Sequence, residues 1–100
     1  MQFKITGRHL EITPAIHDYA QSKTQRLHRH FDRIQEIQVI VEKRDRGLEV
    51  EIIVDVEHHD DFIAKVANPD IYACIDLSVD KLERQLTDHK ERLRNRKHQA

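Results

Sequence analysis

The sequence has few of the residues on which covalent and redox chemistry depends. It contains a single cysteine, Cys74, so an internal disulfide is excluded and a thiolate metal site lacks a second ligand. Two glycines in 100 residues leave no glycine-rich phosphate-binding loop. No serine or cysteine lies in a recognisable nucleophile turn. We therefore expect a protein that is not an enzyme and that has neither a cofactor nor a metal ion.

Histidine is the plentiful residue type that could act in catalysis or bind metal, with eight copies. His17, His28 and His30 suggest acid-base chemistry, but no paired carboxylates in an apolar setting accompany them. The run HHDD at 58–61 offers metal-ligand residue types, yet adjacent side chains in a tight turn point in different directions. We interpret this run as a surface turn, and Cys74 as a small buried or half-buried apolar residue.

Long apolar runs are also missing. No stretch approaches the roughly 18 apolar residues that a membrane-spanning helix needs. The first residues, MQFKITG, lack the apolar segment of a signal peptide. We expect a single cytoplasmic domain with no membrane partner and no small-molecule substrate.

Neither sign of charge is in excess, since 17 lysines and arginines face 18 aspartates and glutamates. A neutral total argues against a nucleic-acid partner only if the charges are evenly mixed. They are not, because residues 1–33 carry a net charge of about +3 and residues 34–69 about −5. In 70–100, five of the seven basic residues follow His89. The net charge therefore conceals separate basic and acidic regions.

Hydrophobic periodicity divides the chain into six elements. Alternation predicts a short strand ending at Gly7, and Thr13 followed by Pro14 predicts a helix start, with an apolar stripe to about Phe31. Period-two patterns then predict strands over 37–41 and 50–56, joined by a tight turn at 44–47, and a fourth strand over 62–66. An Asn-Pro-Asp sequence at 68–70 opens a long helix for the same capping reasons.

These elements predict an α+β fold in the order β-α-β-β-β-α. Two helices cover the apolar face of one four-stranded antiparallel or mixed sheet, and the other face is largely acidic and faces water. The first helix has a basic ridge of Arg26, Arg29 and Arg33. If the helices pack side by side, this ridge could join the basic flank of the last helix, formed by Lys81, Arg84 and Arg92. Further basic residues could extend the joined surface: Arg8, Lys90, Arg94, Arg96 and Lys97.

Such runs of like charge are frequent in highly charged helices, where most are solvated faces or members of weak exposed ion pairs. The basic helices and tail opposite an acidic sheet nevertheless indicate RNA binding through phosphate contacts. The few aromatic residues fall mostly on the core side, which predicts no sequence readout by stacking.

Several motifs in order resemble the bacterial ribosome hibernation-promoting factor family, which includes ribosome-associated inhibitor A and was once called sigma-54 modulation protein. The matching stretches are ITGRHLEITPAI at 5–16, FDRI at 31–34, DIYACID at 70–76 and DKLERQL at 80–86. The resemblance covers essentially the whole chain. It implies a fold similar to double-stranded RNA-binding domains and binding to the small ribosomal subunit and its ribosomal RNA, in the mRNA and tRNA channel.

The resemblance places the family's basic helix positions on Lys23, Arg26, Lys81, Arg84 and Lys90, with Arg92 and Arg94 as extensions. Charge geometry adds Arg8, Arg29 and Arg33 to this candidate RNA-binding set. Asp88 departs from the family pattern, since related sequences commonly have a basic residue there, and it interrupts the basic flank. Cys74 replaces a usual alanine.

The resemblance implies a short-form hibernation factor that inhibits translation reversibly by occupancy and promotes inactive ribosome dimers. A fragment of a long form would have the same sequence, and silencing of single ribosomes stays an alternative. We expect a ribosome-binding domain over 1–95, a short basic tail over 96–100, and a monomer off the ribosome. Two rivals are a general double-stranded RNA-binding module and a protein-interaction domain that uses the acidic sheet.

Overall fold

The computed structural model describes residues 2–99, and the side chains of residues 2–94. The strands are β1 (Gln2–Arg8), β2 (Ile34–Arg44), β3 (Gly47–Val56) and β4 (Phe62–Asn68), and the helices are α1 (Pro14–Gln25), continued by a 3₁₀ helix (Arg26–Arg29), and α2 (Ile71–Gln99). The predicted element order is therefore confirmed. The predicted tail over 96–100 lies outside the residues whose side chains are described.

The strands form one mixed sheet in the order β1-β2-β3-β4. β1 pairs with β2 in parallel, whereas the β2–β3 and β3–β4 pairs are antiparallel. The β2–β3 hairpin turns between Arg44 and Gly47, as predicted. Gly47 has a φ of 145°, and a Cβ at this position would lie 3.1 Å from the Pro69 Cα, so the turn requires glycine.

The core lies between the sheet and the two helices, because alternate residues of each inner strand point to the same side. Side chains with no exposed surface include Val39 of β2 and Ile52 of β3. Helix α2 contributes Leu82 and Leu86, which are also fully buried, and α1 contributes Ala20. Helix α2 packs on β3 and β4, and it also contacts α1 and the 3₁₀ helix. Cys74 is buried with them, as predicted.

Helix α1 begins as the sequence predicts but ends earlier. The Thr13 hydroxyl accepts a hydrogen bond from the Ile16 amide at 3.2 Å, and Pro14 occupies the first turn. The α-helix stops at Gln25 and not near Phe31, and a 3₁₀ helix follows. Just before this change, the buried Thr24 hydroxyl donates to the Ala20 carbonyl at 2.8 Å, a contact that commonly bends helices.

Helix α2 begins with a different cap from the one expected. Pro69 lies outside the helix, and Asp70 is the capping residue, since its carboxylate accepts from the Tyr72 amide at 2.9 Å. The Asn68 side chain accepts from the Asp70 amide at 2.9 Å and fixes the approach to the helix. Proline therefore precedes the cap and does not occupy the first helical position. No helix in the described part of the chain is long and apolar enough to span a membrane.

The open face of the sheet is less acidic than the sequence pattern predicts. Carboxylates of β2 and β3 meet cations from the outer strands, with Lys4 Nζ 3.2 Å from Glu36 Oε1 and Lys65 Nζ 3.7 Å from Glu49 Oε1. Arg44 lies 3.0 Å from Glu49, and this hydrogen bond lowers the pKa of the Glu49 carboxyl. The strand order places the cations of β1 and β4 on either side of the acidic strands, which the separate strand patterns do not reveal.

Candidate nucleic-acid interface

The seam between α1 and α2 is lined by ion pairs. Lys23 Nζ lies 3.7 Å from Asp76 Oδ1, and Arg26 lies 2.7 Å from Glu83 Oε1. The other Glu83 oxygen is 3.2 Å from His30 Nε2. The flank of α2 that faces α1 is therefore acidic in its first half. The expectation that the basic ridge joins Lys81, Arg84 and Arg92 across this seam is wrong, because the carboxylates of α2 lie between them. The part of the expectation that joins the ridge to Lys90 and Arg94 has a different outcome, described below.

Asp76 is fixed by a second contact. The Tyr19 hydroxyl donates to Asp76 Oδ1 at 2.6 Å, and this hydrogen bond, together with burial, raises the pKa of Tyr19 to about 12. Lys23 Nζ lies 5.5 Å from the centre of the Tyr19 ring, and the Tyr72 ring meets Tyr19 edge-on at 4.8 Å. The part of the seam around Asp76 is thus a polar network in which the positive and negative charges pair with each other.

A different environment lies at the other end of the seam, where the 3₁₀ helix and the loop after it approach the second half of α2. Four cationic side chains line an open groove there, which we call the cationic groove: Arg29, Arg33, Lys90 and Arg94. His28 and His30 line it too, Phe31 and Leu93 supply apolar surface, and Asp32 is the carboxylate among its lining residues. Positive charge on an open concave surface is suited to phosphate groups.

The opposite flank of α2 faces the edge of the sheet, away from α1. Lys81 Nζ is 3.4 Å from the Lys65 carbonyl of β4, and Gln85 donates to the Ile63 carbonyl at 3.0 Å. Lys81 and Arg92 lie on this side of the helix, and Arg84 is exposed one turn after Lys81. We call these three residues the β4-side flank. It is separated from the cationic groove by the width of the helix.

Arg8 does not join either surface. The register pairs Arg8 with Glu42, near the end of β2, whereas Arg33 directly precedes the first residue of that strand. Because β1 and β2 are parallel, Arg8 and Arg33 lie at opposite ends of the sheet. The ten predicted residues therefore separate into the neutralised pair Lys23 and Arg26, the cationic groove, the β4-side flank and the isolated Arg8.

Sequence reasoning missed the contacts of two groups of residues. Asp76 and Glu83 are seven residues apart and therefore lie on one acidic flank of α2, but the sequence does not reveal that this flank faces α1. The second group is an aromatic cluster in which His59 stacks on Phe62 at 4.6 Å and His89 meets His59 at 4.4 Å. These residues come from a turn, a strand and a helix, and no local pattern predicts their contact.

In the part of the chain that the structure describes, the geometry supports neither a metal site nor a reactive thiol. Among the described residues, no group of three histidine, cysteine, aspartate or glutamate side chains is placed to hold a metal ion. Burial raises the pKa of the Cys74 thiol, which lies 3.5 Å from the Asn68 carbonyl. Such a thiol is a packing residue.

Comparison with known proteins places these features in a family. Residues 3–94 match the family model described as sigma 54 modulation protein / S30EA ribosomal protein. A ribosome hibernation promoting factor from Azotobacter vinelandii is 45% identical over 94 residues, which cover 92% of this chain and 85% of the relative. One from Escherichia coli K12 is 39% identical over 97 residues, covering 94% and 98%.

Two solved structures share the fold. The N-terminal domain of Thermus thermophilus Protein Y superposes with a TM-score of 0.80 at 35% identity, covering 89% of this chain and 99% of that domain. A ribosomal subunit interface protein from Coxiella burnetii gives a TM-score of 0.84 at 27% identity, covering 91% and 99%. The sequence comparison therefore gives the family, and the structure comparison finds the same fold in solved structures.

Proposed function

Because the chain belongs to the sigma 54 modulation protein / S30EA ribosomal protein family, we propose that it is a ribosome hibernation factor that binds the small ribosomal subunit in the mRNA and tRNA channel. Occupancy of the channel inhibits translation reversibly and promotes inactive ribosome dimers. The protein acts in the cytoplasm as a monomer off the ribosome. No covalent step is needed, since a protein in the channel excludes messenger and transfer RNA by volume.

The separation of the cations into two surfaces carries this proposal. The cationic groove opens beside the 3₁₀ helix, and the β4-side flank lies across α2 from it. A protein that binds a single RNA duplex needs one positive surface along that duplex. A protein enclosed by ribosomal RNA meets phosphates on more than one side. The arrangement therefore favours an RNA-walled channel over free duplex RNA.

The basic residues contribute unequally to RNA binding. Lys23 and Arg26 already pair with Asp76 and Glu83, so phosphates gain less from them than their spacing suggests. The cationic groove has four cations for one carboxylate among its lining residues, and it therefore supplies most of the attraction.

Co-sedimentation with purified small subunits tests the proposal. The wild-type protein should pellet with the subunits, and excess free duplex RNA should not release it. The Arg33→Glu/Lys90→Glu variant should remain in the supernatant, whereas the control Lys43→Glu/Arg46→Glu, which reverses cations near the β2–β3 hairpin, should still pellet. Release by free duplex would favour a general double-stranded RNA-binding module instead.

A sucrose gradient of whole ribosomes separates the two outcomes of binding. Added protein should move ribosomes into a dimer peak, and the groove variant should not. Accumulation of single inactive ribosomes would contradict the part of the proposal that concerns dimers.

A further inference from the structure

A second groove lies at the same end of the molecule, on the β4 side of α2. Its volume is about 230 Å³, room for a single planar base, and it lies between the turn after β3 and one face of the helix. The residues that line it are His59, Phe62, Gln85, Asp88, His89 and Arg92. It has one cation, Arg92, where the cationic groove has four, and its carboxylate lies beside an aromatic wall.

The aromatic wall is held by ring contacts and by one hydrogen bond. The His59 ring stacks on Phe62 with an interplanar angle of 4°, and Phe62 is itself 9% exposed and part of the core. The His59 Nδ1 lies 2.6 Å from the Asp60 carbonyl. Because a carbonyl can only accept, this nitrogen carries the proton and the ring orientation is fixed. His89 meets the same ring edge-on, so the exposed imidazole of His59 is a fixed flat surface.

The polar groups of the groove come from α2 at helical spacing. Residues 85, 88, 89 and 92 lie on one side of the helix. The Gln85 amide nitrogen donates to the Ile63 carbonyl, which leaves the amide oxygen as an acceptor. Within the described residues, Asp88 and Arg92 form no ion pair with each other, although they are four residues apart. A carboxylate and a guanidinium therefore both line the groove without a direct ion pair between them.

We propose that this groove binds an unpaired guanine nucleotide of RNA, with the base stacked on His59 and its Watson–Crick edge on Asp88. Guanine presents two adjacent N–H donors, from N1 and the exocyclic amine, and these match the two oxygens of one carboxylate. Unpaired RNA bases are commonly recognised by stacking on aromatic or histidine rings and by hydrogen bonds to this edge. Arg92 contacts the phosphate of the same nucleotide.

This assignment explains why a carboxylate interrupts a basic flank. A phosphate-only surface gains nothing from Asp88, because the carboxylate repels phosphate. A base-reading site needs an acceptor at that place. Only the source of the base, ribosomal RNA, rests on the proposed function.

Titration of the whole protein with free nucleotides tests the site without ribosomes. The imidazole resonances of His59 and His89 and the backbone amide of Asp88 are followed by NMR during addition of 5′-GMP, and separately of AMP, CMP and UMP. The cationic groove attracts all four equally through phosphate, so the difference between GMP and the others measures base recognition. GMP should bind with about tenfold higher affinity, as a charge-assisted hydrogen-bond pair implies.

Two variants locate the effect. Asp88→Asn should reduce GMP binding to the level of the other nucleotides, and His59→Ala should abolish the shifts at His89. The matched control is His17→Ala, which removes a histidine that also contacts a phenylalanine, Phe3, but at the opposite edge of the sheet, on β1 and not β4. Equal binding of all four nucleotides, or a GMP preference that survives Asp88→Asn, would overturn the proposal.

Co-sedimentation of the same proteins separates this site from the proposed function. If the wild-type protein binds GMP selectively but does not pellet with small subunits, the channel proposal fails and the guanine site stands. If it pellets but binds all nucleotides alike, the guanine site fails alone.

Discussion

Removing the charge of the cationic groove should change how affinity for the small subunit depends on salt. The perturbation replaces its four cations with glutamine: Arg29, Arg33, Lys90 and Arg94. Each phosphate contact contributes roughly 0.7 to 0.9 to the slope of log affinity against log salt, so four contacts contribute about 3 to 4. Over the fourfold rise from about 50 to 200 mM salt, these contacts alone account for a roughly 50- to 150-fold loss of affinity.

The assay is fluorescence anisotropy of labelled protein with purified small subunits, at constant magnesium and several potassium concentrations. The glutamine variant should bind more weakly at low salt and should show a slope smaller by about 3. Two controls accompany it. Lys43→Gln/Arg46→Gln should leave the slope unchanged, and a thermal melt should match the wild type because the replaced side chains are exposed. An unchanged slope in the groove variant would refute the phosphate role of the groove.

The remaining predictions concern the fold and the seam. Leu82→Ala should lower the free energy of unfolding in urea by about 2–5 kcal/mol, because Leu82 is fully buried, whereas Leu93→Ala, at a residue that is 37% exposed, should cost clearly less. Thr13→Ala should cost about 1 kcal/mol by removing the cap of α1, measured in the same way. Folding favours the protonated Tyr19 hydroxyl, so its contribution to stability is complete below pH 10 and disappears as the pH rises to about 12. Absorbance titration should show the Tyr19 pKa falling toward 10 in Asp76→Asn, and an unchanged value would contradict the assigned cause.

Much of the fold could be predicted from the sequence because its local signals agree with one another. Period-two alternation over 37–41 and 50–56 indicates half-buried strands, and these residues form the centre of the sheet. Thr13 and Pro14 mark the start of α1 through chemistry that needs no tertiary contact. The early end of α1 was not predictable, since the apolar stripe continues through Leu27 and Phe31 whether the helix is α or 3₁₀.

The candidate interface was only partly predictable, for a topological reason. A helical wheel identifies a basic flank and an acidic flank on α2, but strand order decides which flank meets α1. With β1 beside β2 and β4 at the far edge, Asp76 and Glu83 face α1, and Lys81 faces β4. The cationic groove combines Arg33, from a loop, with Lys90 and Arg94, from the second half of α2. Such a combination depends on packing across the whole domain.

The contacts of α2 with the last strand also bear on self-association. β4 is an edge strand, and its outward backbone groups could pair with a strand of another molecule. Gln85 donates to the Ile63 carbonyl and Lys81 approaches the Lys65 carbonyl, so side chains of the same molecule already occupy these acceptors. A strand of another molecule cannot pair with this edge without displacing the hydrogen bond from Gln85 to Ile63 and the side chain of Lys81. The helix that carries the proposed RNA contacts thereby also protects the sheet against edge-to-edge aggregation when the protein is abundant.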